Sequence, residues 1–483
     1  MTEEKKLIAT SKSGNKYLFS ENTKNFFYLP VEFEEVLRDS PNLSSGKHEY
    51  YRKKYHFLKE GGIFEPDEHD FSTHISAKSI KVNIANSRQF LIEVTDKCNL
   101  NCKYCGYGLL YSNYDERNRC EQSFHRVRLM IDYLVELWKS PLNISHNNTF
   151  FIGFYGGEPL LNVELIKKTV SYFESLELKN IHLQYNITTN GLLLDKFMDF
   201  LEQKKFRTLI SLDGNKYHNS YRVTKQGKES FEKIISNVES IRNKYPEYYK
   251  EYVNFNAVLH NRNSFGEVFD FIFETFGKEP RIAELNTNAI AAGKENEFYE
   301  MFLSKNESYK TSAFVNKPEN DLLNDSRTVI FDEFINCYSG NSFNSYTDLF
   351  FHKKDKRYIP TGTCLPFQRK IFLTVNGKIL PCEKIGHDLP LGYVSDDKIE
   401  IDADQVASLY SEMYSNVVDQ CRSCSSWRNC GHCIYYMRKE NEKTRCQYYS
   451  KNNHNSFYFG NNISYAEENP ALYEKLYNEV LKD

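Results

Sequence analysis

The sequence predicts an α/β fold, with a parallel sheet that has helices outside it. Apolar segments typical of strands alternate with segments typical of helices between residues 90 and 286, which gives six β/α repeats. Such alternation indicates a parallel sheet. Glycine-rich and cysteine-rich motifs follow several of the predicted strands, where functional residues gather in folds of this kind. We therefore expect the site at the carboxyl ends of these strands.

The first 85 residues are predicted to form a small domain of their own. Short strands are expected at residues 7–9, 16–19 and 26–29, and helices at residues 31–38 and 49–59. Strands followed by two helices resemble the winged-helix peptide-recognition domain that precedes many peptide-modifying enzymes and binds a leader peptide as an added strand. An ordinary N-terminal cap on the sheet is the alternative, since no sharp motif supports the recognition domain.

The repeats themselves give definite boundaries. Strands are predicted at residues 90–94, 149–155, 181–188, 207–212, 253–259 and 281–286, and helices at residues 123–139, 163–178, 193–204, 230–244 and 264–276.

Composition excludes several classes of protein. The 483 residues carry a net charge of -3, so no general basic field points to nucleic acid. No apolar run approaches the roughly 20 residues of a membrane span, and the N-terminus lacks the apolar core of a signal peptide. We expect a cytosolic protein without membrane or nucleic-acid partners, in which the 12 cysteines are metal or cluster ligands rather than disulfides.

Three cysteines lie directly after the first strand of the repeats. Cys98, Cys102 and Cys105 have the spacing C-x3-C-x2-C, and Tyr104 precedes the last of them. Three thiolates in so short a loop can bind three irons of a cubic iron–sulfur cluster and leave its fourth iron free. A zinc loop or a group of reduced cysteines is the alternative.

This loop resembles the signature of radical S-adenosylmethionine (SAM) enzymes. The resemblance implies a partial, open (β/α)6 TIM-like barrel, with a [4Fe-4S] cluster on Cys98, Cys102 and Cys105 and with Tyr104 among the cofactor contacts. It implies that the amino and carboxylate groups of SAM chelate the free iron. It also implies that the reduced cluster cleaves SAM to a 5′-deoxyadenosyl radical, which abstracts hydrogen from the substrate.

The second strand of the repeats ends in Gly156, Gly157 and Glu158 of the segment GGEP. Two glycines let a ligand approach the backbone closely, and a carboxylate can receive an ammonium group. The segment resembles the family motif that holds the amino group of SAM. A tight strand-to-helix turn with Pro159 at the first helical position is the other interpretation.

Further predicted SAM contacts follow the third and fourth strands. By position, Ser211 and Arg222 match the family residues that contact the ribose and carboxylate of SAM. Asn190, in the segment TTNG, is a further expected contact. For Asn190, Asp213 and His218 an alternative stays open, because these segments also form turns, in which a side chain only caps or braces the loop.

A second cysteine-rich segment begins beside a predicted β-hairpin with a two-residue turn at Asn376 and Gly377. Its seven cysteines resemble the SPASM domain of radical SAM peptide maturases, which carries two auxiliary [4Fe-4S] clusters. The third spacing (x2) and the last gap (x12) depart from the family pattern, which has x3 and a longer last gap. Zinc bound by paired C-x2-C motifs is the alternative.

By this resemblance, four cysteines bind the outer cluster and three bind the inner one: Cys421, Cys424, Cys430 and Cys446, and then Cys364, Cys382 and Cys433. Either Cys337 supplies the fourth inner ligand, or that iron is open to a substrate thiolate. Cys120 has no partner in this scheme.

The resemblance therefore predicts a radical SAM enzyme with three [4Fe-4S] clusters and SAM. Its expected substrate is a ribosomally made precursor peptide with a leader, in which it installs a thioether, a carbon–carbon crosslink or a related modification. An external donor such as flavodoxin or ferredoxin is the expected source of electrons.

Two alternatives to a peptide maturase stay open. One is a formylglycine-forming enzyme of the anaerobic sulfatase-maturase type, although Glu383 stands where those enzymes commonly have an aspartate base. The other is a non-catalytic iron–sulfur electron carrier or a zinc-stabilised peptide-binding scaffold.

Five segments are expected along the chain. They are a peptide-recognition-like domain at residues 1–85, the radical SAM barrel at 86–300, a bridging segment at 301–360, the SPASM domain at 361–450 and a tail with a helix at 451–483.

Overall fold

The computed structural model describes nine stretches of the chain, which are residues 7–38, 46–65, 70–144, 148–178, 181–310, 326–339, 357–440, 443–450 and 454–472. Most of the expected bridging segment lies outside the described residues. The chain divides into two compact units, one of residues 1–73, 318–363 and 412–483 and the other of residues 74–317 and 364–411. None of the described helices has the length and apolar character needed to cross a membrane.

The strands, in chain order, are β1 (Leu7–Thr10), β2 (Lys16–Ser20), β3 (Asn25–Tyr28), β4 (Asp70–Phe71), β5 (Gln89–Thr95), β6 (Asn148–Gly156), β7 (Ile181–Thr189), β8 (Arg207–Ser211), β9 (Val253–Val258), β10 (Arg281–Ala283), β11 (Arg357–Tyr358), β12 (Ile371–Leu373), β13 (Lys378–Leu380), β14 (Gly392–Val394), β15 (Ile399–Glu400), β16 (Arg438–Glu440) and β17 (Lys443–Arg445).

The α-helices are α1 (Val31–Leu37), α2 (Gly46–Glu60), α3 (Ala77–Ala85), α4 (Phe124–Lys139), α5 (Val163–Glu174), α6 (Leu194–Gln203), α7 (Phe231–Lys244), α8 (Pro246–Tyr252), α9 (Phe265–Phe276), α10 (Glu295–Met301), α11 (Lys305–Lys310), α12 (Ser326–Tyr338), α13 (Ala403–Ser415), α14 (Val418–Arg422) and α15 (His454–Glu468).

A sheet of ten described strands forms the centre of the second unit. Strands β5 to β10 lie side by side in chain order and run parallel, as the sequence predicts. The free side of β5 pairs with β12, and β13, β14 and β15 continue the sheet in antiparallel order. The predicted α/β fold with an open parallel sheet is therefore confirmed.

The apolar side chains of β5 are buried in the sheet. Phe90, Ile92 and Val94 of β5 have no exposed surface, as expected of a parallel strand that is covered on both faces. All six predicted strands overlap observed ones, although β10 is three residues long and ends before residue 286. The sequence analysis missed α3 and α8, two helices too short to show a clear period.

The hairpin of β12 and β13 positions Cys382 but has a longer turn than predicted. Thr374 and Lys378 are paired, since Thr374 N donates to Lys378 O at 2.9 Å, and three residues lie between them. The predicted two-residue turn is therefore wrong. Gly377 adopts a left-handed conformation with φ 82°, which a three-residue loop with a bulge requires.

The first unit begins with the three strands and two helices predicted there. Strands β1, β2 and β3 form an antiparallel sheet with β3 at one edge. Helices α1 and α2 pack on it through Leu18, Phe33 and Leu58. A second apolar cluster joins this sheet to α12 and α15 through Phe19, Phe334 and other aromatic residues. Helix α12 contributes Phe331 and Phe334 to this cluster.

Candidate functional site

The loop after β5 holds the three cysteines of the C-x3-C-x2-C motif. Cys98, Cys102 and Cys105 are all partly buried. The backbone between the first two is tied to the segment after β8, because Asn101 N donates to Val223 O at 2.7 Å. Cys105 N donates to Cys102 O at 3.2 Å, which folds the last part of the motif into a turn.

The three thiols lie close enough for their charges to affect the ionisation of Cys98 and Cys102. Burial raises the pKa of Cys102 to about 12, and negative charge on Cys105 and Cys98 adds to that rise. Burial also raises the pKa of Cys98, with a contribution from Cys105. Thiols bind iron as thiolates, and the positive charge of a bound metal lowers the thiol pKa. Three mutually close, desolvated thiols fit the protein ligands of a [4Fe-4S] cluster with one open iron.

Two glycines let the GGEP loop lie against the beginning of the cysteine loop. Gly156 has φ 132°, and a Cβ there would lie 2.3 Å from Thr95 O. A Cβ on Gly157 would lie 2.0 Å from Lys97 O. The two segments are joined by backbone bonds of 2.8 Å from Gly157 N to Thr95 O and from Glu158 N to Lys97 O.

The side chain of Glu158 is fully buried. Its Oε1 accepts from Leu160 N at 3.1 Å and Thr189 Oγ1 at 2.8 Å, and its Oε2 accepts from Asn190 N at 2.8 Å. Burial raises its pKa to about 7 despite these three donors. The structure thus uses this carboxylate to join the ends of β6 and β7. Its predicted contact with SAM stays a prediction.

Asn190 and Ser211 lie at the ends of neighbouring strands. Asn190 Nδ2 donates to Asn99 Oδ1 at 2.7 Å and lies 3.8 Å from Cys98 Sγ. Ser211 Oγ donates to Asn256 Oδ1 at 3.1 Å. Asn190 therefore holds the cysteine loop against the end of β7.

Arg222 binds Asp213, and both side chains are buried. Arg222 Nε and Nη2 lie 3.0 and 2.9 Å from the two carboxylate oxygens. Tyr104 OH donates to the same carboxylate, as does Val258 N at 2.9 Å. Asp213 thereby connects the aromatic residue of the cysteine motif to β8 and β9.

Sequence reasoning missed His260, which joins this group. Its ring stacks on Tyr104 with centroids 5.7 Å apart, and its Nε2 lies 3.7 Å from Asp213 Oδ2. The available signal was its place just after a predicted strand, where functional residues gather. His218, in contrast, accepts from Asn215 N at 3.4 Å and braces its own loop.

A cleft of about 750 Å³ opens at the carboxyl ends of these strands. Its lining includes Cys98, Leu161 after the GGEP segment, Leu192 after the TTNG segment and Thr224 after Arg222. The volume lies within the usual range of small-molecule sites. Cys98 of the cysteine loop and residues just after the GGEP segment, the TTNG segment and Arg222 therefore border one cleft.

In the first unit, four cysteines line one cavity together with His432: Cys421, Cys424, Cys430 and Cys446. Burial raises the pKa of Cys421 to about 12, and the charges of the other three thiols add to this rise. These four are the cysteines that the resemblance assigns to the outer cluster. In the described part of the chain, no three His, Cys, Asp or Glu side chains form a group suited to a single metal ion.

The remaining cysteines divide between the units. Cys364 and Cys382 belong to the second unit, and Cys433 and Cys337 to the first, so the inner set stays a prediction. Cys337 packs against the aromatic cluster of α12 and α15. The charges that act on its thiol come from Glu333 and other charged side chains, none of which is a cysteine.

Part of the chain is similar in sequence to known proteins, and its fold is similar to solved structures. Residues 92–272 match the family model of the Radical SAM superfamily. The chain is 23% identical over 239 residues to the radical SAM cyclopropyl synthase TigE of Paramaledivibacter caminithermalis, covering 47% of this chain and 48% of that protein. It is 32% identical over 189 residues to the cysteine-type anaerobic sulfatase-maturating enzyme of Clostridium novyi, covering 38% and 46%.

The matched regions span about half the length of these curated relatives. The structure of native anSMEcpe with bound AdoMet and Cp18Cys peptide superposes on 81% of this chain and 99% of that chain, with 21% identity and a TM-score of 0.51. At this level of identity, the likeness shows a shared fold.

Proposed function

We propose that this chain, in which residues 92–272 form a radical SAM domain, cleaves SAM reductively and modifies a ribosomally made precursor peptide. One observation carries the proposal. The partly buried thiols of Cys98, Cys102 and Cys105 share one loop, and Cys98 lines a cleft together with residues that follow the GGEP and TTNG segments.

The chain's own residues have distinct tasks in this proposal. The three loop cysteines bind three irons and leave the fourth to SAM. Bound together, the cluster and SAM supply a 5′-deoxyadenosyl radical that takes hydrogen from a substrate carbon. Arg222 has five N–H groups, of which two bind Asp213, so the others can bind the carboxylate of SAM. The Asp213 pair holds the guanidinium in place for that contact.

The N-terminal sheet supports a peptide as the substrate. Among the described strands, β3 pairs with β2 alone. Its other edge therefore offers backbone groups to which an extended leader peptide can add as a strand. Tyr28 of β3 and Val31 of α1 are 58% and 66% exposed and can contact leader side chains. The likeness to maturases adds support for this substrate class.

The cysteines of the first unit are proposed to hold an auxiliary [4Fe-4S] cluster. Four thiols around one cavity can supply all four protein ligands of such a cluster. A cluster held by these four cysteines would supply a one-electron redox centre. We propose flavodoxin or ferredoxin as the external donor to the loop cluster.

A sulfatase-maturase activity is the second candidate, favoured by the relatives of that name. In that reaction type a carboxylate serves as the base. Glu383 lies next to Cys382 and is held by Lys370, whose Nζ is 2.8 and 2.9 Å from its two oxygens. Burial would raise the pKa of Glu383, but the Lys370 charge holds it below its usual value. Glu383 is thus an ionised candidate base.

The test is an anaerobic assay of the reconstituted protein. We expect about twelve irons per chain if three [4Fe-4S] clusters form, and 5′-deoxyadenosine after addition of dithionite and SAM. A candidate peptide with a leader should decrease in mass by the hydrogen atoms that crosslinking removes. If the second candidate holds, a sulfatase-type Cys peptide should instead show the mass of formylglycine. Absence of 5′-deoxyadenosine with a reduced cluster and every peptide would overturn the proposed function.

A further inference from the structure

We propose that Arg117 is a positioning residue that raises the reduction potential of the cluster bound by the loop cysteines. This inference rests on the proposed function. Arg117 Nη2 donates to Cys105 Sγ at 3.5 Å, from a position 12 residues away and outside the cysteine motif. A cationic N–H group thus reaches the sulfur that binds one of the irons.

An anchored aromatic ring holds the guanidinium of Arg117 in this position. The guanidinium carbon lies 4.5 Å from the centre of the Tyr107 ring, which is cation–π geometry. Tyr107 OH donates to Glu93 Oε1 at 2.7 Å, and Glu93 Oε2 accepts from Val375 N at 2.8 Å. Because Glu93 is a buried residue of β5, the ring is fixed to the centre of the sheet, and so is the cation above it.

The positive charge of Arg117 acts on more than one group of the site. Its Nε is buried and has no hydrogen-bond partner among the described residues. Burial raises the pKa of Glu93, and the Arg117 charge opposes this rise. A partly desolvated cation has a strong electrostatic effect at short range. Arg117 therefore contributes a positive potential at the cysteine loop as well as one hydrogen bond.

The direction of the effect follows from the electron balance. Reduction adds one electron from the external reductant to the [4Fe-4S] cluster, takes it from the 2+ to the 1+ state and transfers no atoms. The reduced cluster carries more negative charge on its sulfurs. An N–H···S bond and a nearby cation stabilise it more than the oxidised cluster, and hydrogen bonds to sulfur are known determinants of cluster potential.

The experiment is a redox titration of the reconstituted full-length protein, followed by electron paramagnetic resonance. The signal that changes on addition of SAM reports the loop cluster separately from any auxiliary cluster. Arg117→Gln should lower the ratio of reduced to oxidised loop cluster by about tenfold at a fixed solution potential, which corresponds to about 59 mV for one electron. Arg117→Lys, which keeps the charge but not the planar donor group, should shift less.

Arg128→Gln is the matched control, because it removes the same charge from an exposed position on α4 and should leave the potential unchanged. An unchanged potential in Arg117→Gln with full iron content would overturn the proposal. Lower iron content with an unchanged potential of the remaining cluster would show a merely structural role and also overturn it. If Arg117→Gln does not fold, the shift in Arg117→Lys decides. A wild-type protein without any SAM-sensitive signal would instead contradict the proposed function itself.

Discussion

Arg222 and Asp213, both in the segment that follows β8, form a buried ion pair with two hydrogen bonds. The Nε and Nη2 atoms of Arg222 lie 3.0 and 2.9 Å from the Asp213 carboxylate, and the aspartate side chain has no exposed surface. The same carboxylate accepts from Tyr104, which lies between Cys102 and Cys105. One buried charge pair therefore supports both the expected SAM contact and the cysteine loop.

Removing one partner of this pair should destabilise the protein strongly. Arg222→Ala leaves Asp213 buried without its main counter-charge, and breaking such pairs costs about 3–5 kcal/mol. Urea unfolding of the variant and wild type measures this difference. Surface variant Lys233→Ala, which breaks an exposed pair with Asp195, is the control and should change stability by about 0–1 kcal/mol. A loss of less than about 3 kcal/mol in Arg222→Ala would contradict the expected role.

The same pair gives stability a definite pH dependence. Burial alone would raise the pKa of Asp213, but the charge and hydrogen bonds of Arg222 hold it well below the usual range. The pair's stabilising contribution is therefore present above the unfolded-state pKa of about 3.9 and is lost as the pH falls through the lower folded-state value. Asp213→Asn should remove this acid-side loss, which unfolding measured at pH 2.5–5 would detect.

Glu158 should give a dependence of the opposite sign. Burial raises its folded-state pKa from 4.5 to about 7, so the folded state binds a proton that the unfolded state has lost. The stabilisation that this bound proton gives the folded state is fully present below pH 4.5 and is lost as the pH rises to about 7. Between pH 5.5 and 8, wild type should lose about 2 kcal/mol of stability relative to Glu158→Gln. Parallel stability curves for the two proteins would mean that the three donors keep Glu158 ionised.

The sheet and the cysteine loop were predictable because their signals are local. A parallel strand such as β5 contains a short apolar run that only Glu93 interrupts, so a short window of sequence reveals it. The cysteine spacing is equally local, and the loop after β5 contains all three thiols. The hairpin was predicted from Asn376 and Gly377, but its exact loop length depends on how Thr374 pairs with Lys378.

The site contacts were less predictable because they depend on tertiary packing. Nothing in the sequence indicates that Glu158 points to the end of β7 or that Asp213 accepts from Tyr104. His260 and Arg117 are single polar residues without a motif, and their partners lie far along the chain or across a loop. Only the folded structure brings such residues together, so spacing alone could not assign their contacts.

Iron content should distinguish a cysteine that lines the cavity of the first unit from the cysteine that packs in its aromatic cluster. Cys421→Ala removes a thiol from the cavity shared with three others and should lower the iron content by about four per chain if a [4Fe-4S] cluster is lost. Cys337→Ala should retain all the iron, because Cys337 packs among aromatic residues. Iron and sulfide analysis after anaerobic reconstitution is the measurement. A loss of about four irons in Cys337→Ala would make it the fourth inner ligand.

Gly157→Ala should disturb the cysteine loop without changing any polar group. The added Cβ would lie 2.0 Å from Lys97 O. This oxygen and the Cα that carries the new methyl group are both part of the backbone, so neither can rotate away as a flexible side chain can. Overpacking of this kind typically costs about 1–3 kcal/mol, and the residues displaced here are those that lead directly into Cys98. We therefore expect lower iron content and less 5′-deoxyadenosine, measured beside Gly46→Ala, whose Cβ meets open space. Equal iron and product in the two variants would show that the cysteine loop forms independently of the GGEP segment.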